Sequence, residues 1–417
     1  MAPLADYRTE FQQYYAQKAT YVTYAVQTIM YIVSTIGGRH PASNEQQLAQ
    51  KFLMSDLKHY VDYVTQEPYT FHPKAFMGFI PICSFLMIPS VFFYNFKFRK
   101  TSFLLCTLSV SLFLGEFLFY KEFCDFLFPS APSSNLLGIR NATGEVRRVA
   151  IFNGHTDSMW QWQFNYLGGG HLLAFAIIYA VGGMLIFEIL QIVFFKEHQN
   201  WIAILEMFFL PAYVGIAYMT NFNVVVEGAN DNLSGCLTAM SVAKYLADNN
   251  ITFEHTEVRI LLTGDEEAGL RGAKRYAAAH PYANEVAEGK EVAFFCFDTM
   301  RDLESMAIYH KDMTGTVTND PRVCSIMKRA GELGGLDLPY ATIFCGASDA
   351  AAMTQAGFPA GTFAAMDPTP ASYYHTVRDN IQNMEPIAIG HSIDVAMGSL
   401  FIFDQEGLEG RTSDNNK

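Results

Sequence analysis

The chain has 417 residues, 50% of them hydrophobic and only 17% charged, with a mean hydropathy of +0.11. That is more apolar than a soluble enzyme of this length needs, so something beyond one globular core must be built. A net charge of −13 and a pI near 5.3, with no basic patch interleaved with aromatics, exclude nucleic acid as a partner.

In chain order, residues 7–36 are aromatic and polar at helical spacing and lack the basic start and unbroken apolar run of a signal peptide. Membrane targeting, if any, is therefore expected from internal segments. Four such segments follow: Phe76–Tyr94, Phe103–Phe119 with Glu116 near its end, Leu172–Phe195 with Glu188, and Trp201–Tyr218 with Glu206. Each is close to the roughly 17–25 apolar residues that cross a bilayer. The short polar tips Asn95–Ser102 and Lys196–Asn200 pair them into two transmembrane hairpins, residues 76–128 and 171–220. The competing reading is core helices of an unusually apolar domain or a buried dimer interface. Pro81, Pro89 and Pro211 are tolerable kinks in membrane helices, and Glu188 is expected to face the bundle interior. Lys97, Arg99 and Lys100 in the first tip and Lys196 in the second favour cytoplasmic tips, which puts the rest of the chain on the other side.

The remaining sequence, residues 1–75, 129–170 and 221–417, reads as one discontinuous α/β domain with a mainly parallel, mixed central sheet flanked by helices. Short apolar runs such as Val258–Leu262 and Val292–Phe297 have the character of buried parallel strands, and residues 238–246 recur at helical spacing. Chemistry clusters at the strand ends. Val149–Asn153 runs into His155-Thr156-Asp157, Val258–Leu262 into Asp265-Glu266-Glu267, and Val292–Phe297 into Asp298. Open α/β sheets place ligands at such ends. Adjacent carboxylates repel, so Glu266 beside Glu267 after a buried strand calls for a compensating cation. Imidazole is a common zinc ligand, and a carboxylate two residues on can orient the ring. The seven cysteines show no C-x-x-C spacing and read as buried thiols. Residues 410–417 read as a disordered tail.

Taken together, His155-x-Asp157, Gly228-Ala229-Asn230-Asp231-Asn232-x-Ser234-Gly235, Gly264-Asp265-Glu266-Glu267-x-Gly269-Leu270-x-Gly272-Ala273, Asp298 and Tyr374-His375-Thr376 resemble the metal-binding series of the co-catalytic di-zinc aminopeptidases. This is the bacterial leucyl aminopeptidase family, which also holds glutamate carboxypeptidases and glutaminyl cyclases. Gly37-Gly38-Arg39-His40 and Ser348-Asp349 resemble further stretches of it, with Ala350 where a His is usual. The resemblance implies two zinc ions, with manganese or cobalt able to substitute. Asp231 bridges them, His155 and Asp298 complete one metal, Glu267 and His375 the other, Glu266 is the general base, and Asp157 sits behind His155. The complete set favours hydrolysis over cyclisation.

The expected protein is thus a membrane-bound zinc exopeptidase, an aminopeptidase first. The alternatives are a carboxypeptidase using Arg271, Arg301 or Arg378, an amidohydrolase of N-acyl amino acids or lipopeptides, and an inactive membrane scaffold. Its expected partners are a peptide or lipopeptide and the bilayer itself. His155 lies about seventeen residues before the third apolar segment and Asp231 about thirteen after the fourth, so the chain reach of ~3.3–3.6 Å per residue keeps the site close above the membrane. Trp160, Trp162, Phe164 and Tyr166 in the first link either settle at the headgroups or pack the pocket rim.

Overall fold

The computed structural model describes residues 6–409, so the expected tail at 410–417 lies outside the described residues. Eleven strands appear among them: β1 (Tyr63–Phe71), β2 (Ala131–Arg140), β3 (Arg148–His155), β4 (Trp160–Trp162), β5 (Thr220–Val225), β6 (Thr256–Thr263), β7 (Glu291–Met300), β8 (Met306–Asp312), β9 (Val317–Thr318), β10 (Tyr340–Thr342) and β11 (Ala360–Ala365). The main sheet has the order β1-β2-β6-β3-β7-β11-β8-β10, with β9 paired to β8, while β4 and β5 form a separate ribbon. The four central strands β6, β3, β7 and β11 run parallel, and antiparallel pairing enters only on either side of them. This is the mixed, mainly parallel α/β sheet expected.

Alternation along the central strands explains why both faces are covered. Ala150 and Phe152 of β3, with Phe295 and Phe297 of β7, point into a core shared with helices Lys18–Thr35, Gly235–Asp248, Pro321–Leu333 and Pro386–Glu406. Val149, Ile151, Phe294 and Cys296 point the other way, toward helices Arg271–Ala279 and Asp349–Gln355. Strands buried on both faces have no polar side to show, hence their continuous apolar runs.

The apolar segments form helices Ala75–Asn95, Arg99–Phe113 prolonged by a π-turn to Leu118, Gln163–Val193, and Asn200–Ile216. Among the described residues, four helices are long and apolar enough to cross a membrane: Ala75–Asn95, Arg99–Leu118, Gln163–Val193 and Pro386–Glu406. Two expectations change here. The segment read as Trp201–Tyr218 is a shorter apolar helix of 17 residues, and the third is preceded by a short polar turn from Gln163 that joins it across the non-helical Gly168 and Gly169. That turn is held by tertiary bonds, since the Asn165 side chain donates to the carbonyls of Ala371 and Tyr374. Hydropathy cannot mark a turn whose partners lie two hundred residues away.

The acids within these helices turn inward. Glu116 accepts from the Cys124 amide at 2.7 Å, Glu188 from Thr107 at 2.7 Å and Glu206 from Tyr213 at 3.0 Å. Outward positions such as Phe85, Phe175, Ile178 and Phe208 are bare apolar side chains. Six of the seven cysteines are buried, Cys345 being exposed, and all are free thiols. The helix bundle is also continuous with the second face of the sheet, because Phe76, Trp162, Leu173 and Met219 belong to the same apolar cluster as Val149 and Phe294.

Candidate metal centre

Five chain segments converge at the carboxyl ends of the central strands. His155 closes β3 and Asp298 lies near the end of β7, while Glu266 and Glu267 follow β6. Asp231 lies in the tight turn Ala229–Ser234 that leads into helix Gly235–Asp248, and His375 lies in the loop before the last helix. Two glycines of the motifs explain the local shape. Gly228 has φ near +60°, a left-handed conformation that glycine adopts without penalty, and a Cβ on Gly272 would meet the Gly264 carbonyl at 2.2 Å.

The donors form two groups that share Asp231. His155, Asp231 and Asp298 are one, and Asp231, Glu267 and His375 the other; within each group the ligand atoms lie within 4.8 Å of one another. Asp231 Oδ1 is 3.2 Å from His155 Nε2, while its Oδ2 is 3.1 Å from His375 Nε2. Glu267 Oε2 is also 3.1 Å from His375 Nε2, and Asp298 Oδ1 is 4.0 Å from His155 Nε2. Two ligands at roughly 2.0–2.2 Å from a tetrahedral zinc are about 3.3–3.5 Å apart, so these spacings suit a common cation. His375 Nε2 and Glu267 Oε1 are buried without hydrogen-bond partners. Orphaned polar atoms of this kind are costly unless an ion takes them up, and the donor set fits zinc.

Electrostatics point the same way. Burial pushes the Asp298 carboxyl up to about 7, and it raises Glu266 well above its ordinary range, only partly offset by His155. Burial lowers His375, yet Glu267 and Asp231 outweigh it and lift the imidazole to about 9. Asp231 resists its burial, and the close His155 and His375 imidazoles hold it well below the usual carboxylate range. The pocket carries an excess of negative charge that positive charge must balance.

Supporting residues lock these groups. Asp157 faces His155 Nδ1 at 3.3 Å and accepts from the amides of Glu266 at 3.2 Å and Glu267 at 3.1 Å, so it fixes two segments at once. Asp379 accepts from the Asn230 amide at 2.8 Å and the Asp231 amide at 3.0 Å; burial, with Asp231 close by, pushes it up to about 7. Arg39 is fully buried and donates to the carbonyls of Thr156, Glu227 and Gly228, clamping the His155 and Asp231 loops together. Asp349 accepts from Thr263 and Asn153, bracing the end of β6.

Sequence reasoning missed several neighbours. Tyr374 stacks on the His375 ring at 3.7 Å and Trp162 meets it edge-on at 4.3 Å. Trp160 and Trp162 are buried in β4, Trp162 lining a pocket with Asp298 and Trp160 packing on His40 and Phe222, while Tyr166 is exposed. Tyr120, just past the second apolar helix, is buried within the electrostatic reach of Glu266. Nothing local marks it. Arg39 stood inside a motif stretch without an assigned role, and Asp379 lies three residues past the Tyr374-His375-Thr376 stretch. Arg271 is removed as a carboxylate receptor, since it is buried against Glu122 at 2.6 Å and Asp125 at 2.8 Å.

Residues 214–399 match the sequence model of Peptidase family M28. That span includes Asp231, Glu266, Glu267, Asp298 and His375, and leaves His155 and Asp157 to its N-terminal side. No curated protein matches the chain. Among solved structures, the aminopeptidase from Aneurinibacillus sp. strain AM-1 superposes with a TM-score of 0.54 at 15% identity, covering 91% of this chain and 93% of that one. The zinc aminopeptidase BSAP from Bacillus subtilis gives 0.55 at 14% identity, with 91% and 94% covered. Porphyromonas gingivalis glutaminyl cyclase gives 0.52 at 14% identity, with 91% and 97% covered. At these identities the superpositions establish the fold, and the similarity to Peptidase family M28 is carried by residues 214–399, less than half of the chain.

Proposed function

We propose that the chain is a membrane-bound aminopeptidase holding two zinc ions, with Asp231 between them, His155 and Asp298 on one, His375 and Glu267 on the other, and Glu266 as general base. The observation that carries this reading is the division of Asp231, whose two carboxylate oxygens face different imidazoles at 3.2 and 3.1 Å. Zinc bound there supplies the Lewis acidity that polarises a scissile carbonyl and acidifies water.

The chain's own residues do the rest. Glu266 Oε2 lies 3.8 Å from His155 Nε2, with its amide tied to Asp157, so the carboxylate is aimed at the shared pocket. It takes a proton from the attacking water and returns it to the departing amine, a transfer that contributes about 10²–10⁴-fold. Asp157 keeps the His155 ring and the Glu266 backbone in register. Amino-terminal specificity is supported by the state of the three candidate arginines. Arg271 is buried in ion pairs, Arg301 is paired with Asp302 at 2.7 Å, and Arg378 lies over Tyr166 and donates to the Ser372 and Tyr166 carbonyls. The pocket instead offers surplus carboxylates to a substrate ammonium.

The test is metal content and hydrolysis of aminoacyl amides by purified protein. Glu266→Gln is expected to retain zinc and lose about 10²–10⁴-fold in kcat; undiminished turnover, or wild type without zinc, rejects the assignment. Membrane insertion is supported by the bare apolar faces of the bundle, and the basic tips favour their cytoplasmic placement. A cysteine at Thr101 should then be closed to an impermeant thiol reagent in intact cells, and labelling there reverses the orientation.

A further inference from the structure

The third bundle helix carries part of the rim of the candidate site on its end. Its regular part runs from Gly170 to Val193, since Gly168 and Gly169 break the helix before it. A Cβ on Gly170 would collide with the Thr369 and Pro370 carbonyls, so the loop Pro368-Thr369-Pro370 is seated directly on that end. Pro368 and Pro370 line the pocket that contains Asp298 and Tyr374, and so do Ile343, Phe344 and Cys345. No charged residue occurs between Tyr340 and Ser348, and in the middle of that stretch the Phe344 side chain is 75% exposed. It does not stand alone. Phe119 and Phe126 past the second bundle helix, Leu167 before the third and Tyr218 past the fourth are exposed at the same end of the bundle.

Helix length sets the level of this rim. Residues 170–193 span about 36 Å at ~1.5 Å per residue, whereas a bilayer is about 30 Å thick in its hydrocarbon and about 40–45 Å with its headgroups. Both ends of the helix therefore reach the headgroup layers. The exposed His171 beside Gly170 suits such a layer and not hydrocarbon, and the bare apolar positions Phe175 and Ile178 begin more than a turn further in.

We propose that the loops Ile343–Ala347 and Pro368–Pro370 rest in the headgroup layer of the bilayer that holds the bundle, with the Phe344 ring among the lipids, so that the mouth of the Asp298 pocket lies at the membrane surface. The inference rests on the membrane reading above and extends it from the helices to the candidate site. Lipid is the occupant for three reasons. The rim is continuous, through Pro370 and Gly170, with the bare face of a helix long enough to span. The loop around Phe344 brings no charge that would have to leave water. Pro368 and Pro370 lack the amide N–H groups that lipid would leave unpaired.

The experiment uses the full-length protein in phosphatidylcholine nanodiscs, with a nitrobenzoxadiazole label on one exposed thiol, read as quenching by lipids that carry a nitroxide on the headgroup or at mid-chain. The label is placed through Phe344→Cys, Phe175→Cys or Leu48→Cys, each combined with Cys345→Ser, since the other six cysteines are buried. Phe175 is exposed on the third bundle helix; Leu48 is exposed on helix Asn44–Leu57, which packs on the sheet face away from the bundle. Headgroup nitroxides are expected to quench the label at the Phe344 site at least about twofold, because that layer is only about 5–8 Å deep. Mid-chain nitroxides are expected to act most at the Phe175 site, and neither kind at the Leu48 site. If Phe344→Cys does not fold, the same label on wild-type Cys345 gives the comparison. A Phe344 site that behaves as the Leu48 site does, or that is quenched more by mid-chain than by headgroup nitroxides, overturns the proposal. Absence of quenching at the Phe344 and Phe175 sites alike defeats the membrane reading instead.

Discussion

The helices Gln163–Val193 and Pro386–Glu406 are both long and apolar enough to cross a membrane, yet the protein covers 28% of the most apolar window of the first and 83% of the second. The last helix lies between Lys18–Thr35, Gly235–Asp248 and Pro321–Leu333, against the sheet. It has no apolar side left for lipid. The third bundle helix instead leaves Phe175, Ile178, Ile189 and Ile192 bare. A run of apolar residues states only that water must be excluded; what excludes it is decided by the neighbours.

The sharpest way to break this contrast is to put a charge on each helix. Leu400 is fully buried in the last helix, so Leu400→Asp should cost more than about 4 kcal/mol and abolish folded protein, read as loss of a cooperative thermal transition. Ile178→Asp, at the middle of the third bundle helix, should cost about 3 kcal/mol of insertion in a bilayer. If that face meets water instead, the change stays within about 0.5 kcal/mol and the membrane reading falls.

Buried acids sharpen it further. Asp394 of the last helix is fully buried against the Lys18 ammonium at 2.5 Å and the Tyr14 hydroxyl at 2.9 Å. Asp394→Ala strands a cation and should lose about 3 kcal/mol in denaturant melts. Glu206 in the bundle has a Tyr213 hydroxyl as its partner and no ion pair among the described residues. Glu206→Gln keeps that hydrogen bond, so a loss of about 1 kcal/mol or less is expected. A larger loss means that Glu206 is ionised and has a cation to hold.

The smallest effect concerns the joint between the two regions. Glu122, past the second bundle helix, meets Arg271 and Arg275 of the helix that follows the Glu266–Glu267 loop. Burial raises its pKa, but the Arg275 hydrogen bond and the charges of Arg271 and Lys274 outweigh it and hold the carboxyl down to about 2. A pKa depressed in the folded state stabilises above the unfolded value near ~4.3 and is lost as pH falls from there toward 2. The stability difference between wild type and Glu122→Gln should therefore be full at neutral pH and shrink across that window. A difference independent of pH dissolves the clamp.

The residues that gather in the candidate site were legible because they are written in contiguous motifs. His155, Asp157, Glu266, Glu267 and Asp298 each follow a short apolar strand and Asp231 and His375 lie in motif loops, and the parallel sheet brings these segments to one edge, where the structure assembles two donor groups around Asp231. The central strands were equally plain, since burial on both faces leaves no ambiguity of period.

What the sequence determined by itself, then, is which residues carry charge at strand ends and how much apolar surface must be hidden; both are local properties of composition and order. Only the tertiary structure decided the rest. It put Trp162 against His375, drew Arg271 into ion pairs that silence it as a receptor, made Asp379 the clamp on the Asp231 loop, and buried Tyr120 within the electrostatic reach of Glu266. It also buried the last helix in the core and left the third bundle helix bare. The physical reason is common to all of these: each role is set by a partner distant in the chain, and neither hydropathy nor spacing names the partner.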